Sequence, residues 1–307
     1  MDFIHVPVLL DEVLSSFDNN PEVFVDLTSG GGGHDAEILK KYPDVRAVLI
    51  DRDLDAVAHL KEKFTSFPNV TVVHSAFSDV DKILFLLKIP RVDIVFADLG
   101  VSSFQFDTPH RGFSMQKSGP MDMRMDATSQ LTALDFIKNS TEGGLRNILS
   151  EYAQEREAGT VARTLKKCAD DGMTTTLEFA EAIRKAKKYA KKGIDPSTQV
   201  FMALRMAVND ELGELERALK KSFPLLSEKG IMGIITFHST EDRIVKNFFR
   251  DRKNNVPYYE DERENVPVDK KGKFETEMIL PDAGECGRNP RARSAKLRIL
   301  KTTAGYK

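Results

Sequence analysis

Residues 22–35 read EVFVDLTSGGGGHD, an apolar run, an acid, then four consecutive glycines closed by a histidine. A glycine in place of alanine costs roughly 0.4 to 1 kcal/mol through the looser unfolded chain. Gly30, Gly31, Gly32 and Gly33 lie outside any low-complexity tract, so they imply a compensating use. A tight turn is one such use. The other is a ligand at the carboxyl end of a strand, approached closely by the N-terminus of the next helix.

Working outward, β-branched runs recur as VFVDL (23–27), VRAVLID (45–51), VTVVH (70–74) and VDIVFADL (92–99), with start-to-start spacings of 22, 25 and 22. The segments between them carry helical spacing, as in DLDAVAHLKEKF (53–64) with Leu54, Val57, Ala58 and Leu60. Strand and helix in alternation predict a parallel sheet covered by helices, an α/β fold. After Asp98 the rhythm stops. A loop rich in Gly, Pro and Met (100–126) leads into helical patterns near 131–153, 155–171 and 176–190. A helix at about 210–228 and the strand IMGIITFH (231–238) resume the rhythm. Residues 107–207 are therefore expected to form an inserted all-helical domain, with 1–106 and 208–307 forming the sheet domain. A polar stretch (252–292) precedes KLRILKT (296–302), expected as an antiparallel strand on the sheet edge.

The 307 residues are 41% hydrophobic and 30% charged, an ordinary composition for a soluble chain. The net charge of −2 gives no global basic field, so a nucleic-acid partner would be held by local patches. No 18-residue apolar stretch and no signal-peptide pattern occur, so a cytoplasmic protein with no membrane partner is expected. Cys168 and Cys286 are the only cysteines, and the six histidines form no HExxH pair; no metal site is expected.

Asp51 ends the second strand 21 residues after Gly30, where an acid accepts hydrogen bonds from ribose hydroxyls, so a nucleoside-containing cofactor is expected. Gly31, Gly33 and Ala36 match the dinucleotide pattern GxGxxA, and no GK[ST] follows to make a Walker loop. Asp26 at the end of the first strand would repel a pyrophosphate and attract the ammonium and sulfonium of S-adenosylmethionine. Charge favours the methyl donor, and the dinucleotide reading stays open.

The fourth strand ends in ADLGVSSFQFD (97–107), which brings Asp98 to the same sheet edge as the glycines. Methylation of a pyrimidine C5 needs a cysteine thiolate, and neither cysteine ends a strand there. An exocyclic amine needs only acceptors that orient its protons, which Asp98 could supply. FHSTEDRIVK (237–246) leaves the fifth strand with His238 at that edge, a candidate for positioning substrate. Ser239 or Thr240 there fits a helix N-cap.

HVPVLLDEV (5–13), DLTSGGGGHDAEIL (26–39), IDRD (50–53), DLGVSSFQFD (98–107), RGFS with GPMDMRMD (111–126), FHSTEDRIVK and NPRARSAKLR (289–298) together resemble the ribosomal small-subunit RNA methyltransferase H family, the MraW-like proteins, over nearly the whole chain. The resemblance implies a class I methyltransferase fold and transfer of methyl from S-adenosylmethionine to the N4 amine of a cytidine in 16S rRNA. It implies that Gly32, Gly33 and His34 hold the amino-acid end of the cofactor, Asp51 the ribose and Phe77 the adenine region, with Asp98 and Gln105 as further polar contacts. This sequence departs from the family's pattern at Asp35, Phe104 and Thr240, where serine, proline and leucine are usual.

The basic cluster RKAKKYAKKG (184–193) falls in the insertion. Lys185, Lys187, Lys188 and Lys191 are expected to contact RNA phosphates, with Arg291 and Arg293, beside Arg288, on the opposite flank. With so little net positive charge, the folded small subunit is the expected partner, and its target base must be extruded or unpaired. The sequence leaves a homodimer open.

Overall fold

Phe24 and Val25 are adjacent in the chain and completely buried in different cores. The same alternation separates Leu49 from Ile50, Phe96 from Ala97 and Ile299 from Leu300. Successive strand residues point to opposite faces, so the sheet is covered on both sides and its strands read as unbroken apolar runs. The computed structural model describes residues 7–18, 20–189, 193–259, 267–268 and 272–304.

Strands β1 (Val23–Asp26), β2 (Arg46–Asp51), β3 (Val70–His74), β4 (Val92–Asp98) and β5 (Leu226–Thr236) pair in parallel. A two-stranded ribbon of β6 (Tyr258–Tyr259) and β7 (Pro267–Val268) lies apart from them in the strand pairing. With β8 (Lys273–Ile279) and β9 (Lys296–Ala304), the main sheet has seven strands in the order β3-β2-β1-β4-β5-β9-β8. Helices α1 (Leu10–Ser16), α2 (Gly33–Lys41), α3 (Leu54–Lys63) and α4 (Val80–Leu86) come before, between and after the early strands. Asp53 caps α3 by accepting the Asp55 N–H at 3.1 Å, and Lys61 and Lys63 sit in its last turn, where the helix dipole favours cations.

The last apolar run is not on the sheet edge. β9 pairs with β5 on one side and β8 on the other, both antiparallel, and the edge belongs to β8, inside the stretch read as polar. β8 buries Phe274 and leaves Lys273, Glu275 and Glu277 outside the core, as an edge strand that must not recruit another chain does. That charge hides its strand pattern. β5 begins at Leu226, earlier than expected, and stops at Thr236 because the next two residues are committed to capping helix α12 (Ser239–Lys253).

The chain divides into two compact units, Met1–Gly100 with Leu212–Lys307, and Val101–Glu211. The expected insertion, 107–207, lies inside the second. This unit holds α5 (Ser103–Asp107), α6 (Ala133–Asn139), α7 (Glu142–Ala153), α8 (Ala158–Asp170), α9 (Thr176–Ala186) and α10 (Thr198–Val208). The single helical pattern at 131–153 is two helices, each started by a threonine cap, Thr132 on the Asp135 N–H and Thr141 on the Gly144 N–H. Met121, Met123 and Met125 are buried in this unit's core, so the methionine stripe is packing. Helix α11 (Glu211–Ser222) returns the chain to β5. Among the described residues no helix is long and apolar enough to cross a membrane.

Candidate cofactor site and active site

Because β1, β2 and β4 are parallel, their last residues, Asp26, Asp51 and Asp98, share one edge of the sheet. The glycine turn leaves this edge with Gly30 at φ +52° and Gly32 at φ +67°, a region open to glycine at little cost. A Cβ on Gly32 would lie 2.8 Å from both Leu60 Cδ2 and Phe64 Cε2. Side chains are thus excluded at Gly32 by the approach of α3. Lys63 of α3 fastens the turn from the same side, its Nζ donating to the carbonyls of Gly31 at 2.8 Å and Gly32 at 2.6 Å. Gly33 opens α2, whose first-turn N–H groups have no partner within the helix and suit a carboxylate.

Asp51 holds the turn from the sheet. Its Oδ2 accepts the Gly30 N–H and its Oδ1 the Asp53 N–H, both at 2.8 Å. Each oxygen keeps a second lone pair, enough for the two hydroxyls of a ribose. Burial pushes Asp51 up to about 6, against the lowering effect of those two N–H bonds.

Asp98 donates its N–H to Thr28 Oγ1 at 2.7 Å, and its Oδ2 lies 3.8 Å from His34 Nδ1, beyond hydrogen-bond length. Its Oδ1 is buried with no hydrogen-bond partner. Burial first, then the charges of Asp26 and Glu241, raise its pKa well above the carboxylate range. A buried acceptor without a donor is the feature a ligand bearing N–H groups would satisfy. Asp26 differs from expectation. It is 2% exposed, and its Oδ1 accepts the Thr28 N–H at 2.8 Å beneath the turn. Of the two, Asp98 is the acid with a buried oxygen that still lacks a donor.

His34 is buried, with Nε2 2.9 Å from the Val8 carbonyl and its ring edge-on to Phe96. It ties the N-terminal segment to the start of α2. Phe77 is half-buried in the 3-10 turn that follows β3, at the same sheet edge. His238, expected to position substrate, is the N-cap of α12. Its Nδ1 accepts the Thr240 N–H at 3.4 Å, while Glu241 Oε2 accepts the N–H groups of Phe237 and His238 at 3.1 Å. Neither Ser239 nor Thr240 is the cap, because the strand ends at Thr236, two residues sooner than its apolar pattern suggests, and the helix already begins at Ser239. Gln105 belongs to the other unit and closes a capping box on α5, its Oε1 accepting the Ser102 N–H at 3.1 Å.

The basic candidates divide. Lys185 and Lys188 are exposed. Lys187 is not available to phosphates: its side chain is 4% exposed and its Nζ lies 2.6 Å from Glu155 Oε2. Arg184 is likewise committed, in a two-pronged pair with Asp195. Lys191 lies outside the described residues. Arg291 and Arg293 are exposed on a 3-10 turn, Pro290–Ser294, of the sheet unit. The sequence does not mark Thr28, Lys63 or Asp35 as site residues; Thr28 carries a signal as a hydroxyl two residues after a strand-ending acid, and Asp35 only as a departure from the family's pattern.

The model of the MraW methylase family matches residues 2–303. The chain belongs to the MraW methylase family. Proteins named ribosomal RNA small subunit methyltransferase H are similar along the same length. That of Carboxydothermus hydrogenoformans is 42% identical over 98% of this chain and 98% of its own. That of Caldicellulosiruptor saccharolyticus is 41% identical over 97% and 98%, and that of Cytophaga hutchinsonii 41% over 97% and 99%. The MraW methylase fold described here is thus that of a methyltransferase. Its donor is S-adenosylmethionine, which the orphaned acceptor of Asp98 and the open lone pairs of Asp51 fit, and the dinucleotide reading falls.

Proposed function

We propose that the protein methylates the exocyclic N4 amine of a cytidine in 16S rRNA, presented by the small ribosomal subunit. The buried, partnerless Oδ1 of Asp98 at the end of β4 carries this reading. An amine N–H arriving there supplies the missing donor, favours the ionised carboxylate, and turns the nitrogen lone pair toward the transferred methyl. The proton displaced from the amine passes to water. A covalent route through carbon lacks its nucleophile. Cys168 is buried in the second unit's core, with its thiol pushed up by burial, and Cys286 lies on the short helix Ala283–Arg288. Asp51, Gly33 and Phe77 hold ribose, amino-acid end and adenine in turn.

Lys185 and Lys188 of the helical unit, with Arg291 and Arg293 of the sheet unit, contact phosphates. Replacing Lys185 and Lys188 by glutamine is expected to weaken subunit binding and to flatten its log–log salt slope by about 0.7 to 0.9 per lost contact. Filter binding across a salt series measures this, and an unchanged slope removes these lysines from the interface. The reaction itself is tested by incubating the protein with methyl-labelled donor and unmethylated small subunits, then digesting the RNA for mass spectrometry. N4-methylcytidine is the expected labelled nucleoside; a label on carbon or on another base overturns the assignment.

A further inference from the structure

Asp35 stands in the first turn of α2 with no exposed surface, and neither of its carboxyl oxygens meets a donor with hydrogen-bond geometry. The polar side chains beside it are Asp26 and Ser29, and the Asp26 carboxyl is within hydrogen-bonding reach. Two carboxylates cannot bond to one another unless one carries a proton. A lone carboxylate in such a place would be desolvated, unpaired and repelled by its neighbour. We propose that Asp35 is a carboxylic acid that donates its proton to Asp26, and that this shared proton clasps the glycine turn from below, positioning it for the cofactor.

The geometry gives the clasp its purpose. Asp26 ends β1 and accepts the Thr28 N–H, so it grips the entrance of the turn. Asp35 lies just past the exit, after Gly33 and His34. The hydrogen bond between them closes a ring around Leu27 to His34, the segment that Lys63 and Asp51 tether from the other sides. Among the described residues the charged groups acting on the pair are Asp51 on β2, which raises Asp26; Asp98 on β4, which Asp26 raises; and Lys63 on α3, which lowers Asp35 as the Ser29 hydroxyl also does. The acids outnumber the single lysine, and burial is the largest cause of the upward shift at both Asp26, to about 7, and Asp35, well above the carboxylate range. Asp35 is thus a positioning residue acting through Asp26.

The sign of the linkage follows. In the unfolded chain Asp35 ionises near 3.8, whereas the folded chain keeps its proton far above that. The folded state then binds one more proton, and stability falls as pH rises through the interval. Asparagine keeps the shape and donates an N–H to Asp26 without a proton to lose. Above pH 5 the unfolding equilibrium constant of the wild type should rise more steeply with pH than that of Asp35→Asn, by up to about tenfold per pH unit. In infrared spectra of the cofactor-free full chain at pH 7.5, carboxylic-acid carbonyl absorption should be present in the wild type and should lose one component in Asp35→Asn and Asp35→Ser, while the share contributed by Asp98 remains. Parallel pH slopes with an unchanged band overturn the proposal. A third arm tests positioning, a role that rests on the methyltransferase reading: S-adenosylhomocysteine should bind Asp35→Asn within about threefold of wild type and Asp35→Ala at least tenfold more weakly. Equal binding by Asp35→Ala overturns that role. Failure of S-adenosylhomocysteine to bind the wild type would count against the cofactor reading instead, because the first two arms need no ligand.

Discussion

Replacing Asp98 by alanine is expected to lower the rate of methyl transfer by about 10²- to 10³-fold, the usual cost of removing one preorganised polar group from a reacting centre. Asp98 is the site carboxylate whose Oδ1 is buried without a partner, and its other oxygen makes no hydrogen bond with His34 at 3.8 Å. Its N–H to Thr28 is a backbone bond and survives the substitution. The same replacement should raise stability at pH 8. The folded-state pKa of Asp98 lies well above its unfolded value, so stability is lost as pH rises toward it, and removing the carboxyl removes that loss. A faster melt combined with a slower reaction would point to a merely structural acid. Single-turnover rates at saturating donor, beside thermal melts at two pH values, distinguish these outcomes. A variant with transfer within threefold of wild type would falsify the assignment.

The second large effect is expected where the sequence suggested an RNA contact. Lys187 and Glu155 form an ion pair with side chains 4% and 3% exposed, and each makes a further bond: Lys187 Nζ also donates to the Pro196 carbonyl at 2.9 Å, and Glu155 Oε1 accepts the Glu157 N–H at 3.0 Å. The pair joins the end of α9 to the α7–α8 junction and to the approach to α10. Replacing Lys187 by methionine leaves a buried carboxylate without its counter-charge and should cost about 3 to 5 kcal/mol. Glu155→Gln should cost a similar amount by stranding the ammonium. The double variant should recover most of that loss, since desolvation of both charges is removed together. Chemical denaturation of the two single variants and the double variant closes the cycle; a loss in RNA binding without loss of stability in Lys187→Met would return the residue to the interface.

These expectations mark which residues could be interpreted from their neighbours in the chain. Asp26, Asp51 and Asp98 were legible because parallel strands at regular spacing must end on one edge, and an acid at each end is visible in the chain. Lys187 was not, since a lysine flanked by Lys185 and Lys188 looks the same whether its partner is water or a glutamate more than 30 residues away. At His238 a histidine after a strand reads as chemistry, while the bond from Thr240 that makes it a cap depends on where the strand stops. β8 was missed because edge strands carry the charges of loops. At Gly32 the chain alone suggests a close approach, and only the fold shows that Leu60 and Phe64 are what a side chain would strike.

The chain by itself determined the α/β sheet, the inserted helices and the family, because periodicity and ordered motifs are local properties that survive without coordinates. Only the tertiary structure decided which charges are spent. Burial and pairing depend on residues distant in the chain, and they separate Asp98, still lacking a donor, from Lys187, whose charge is already answered.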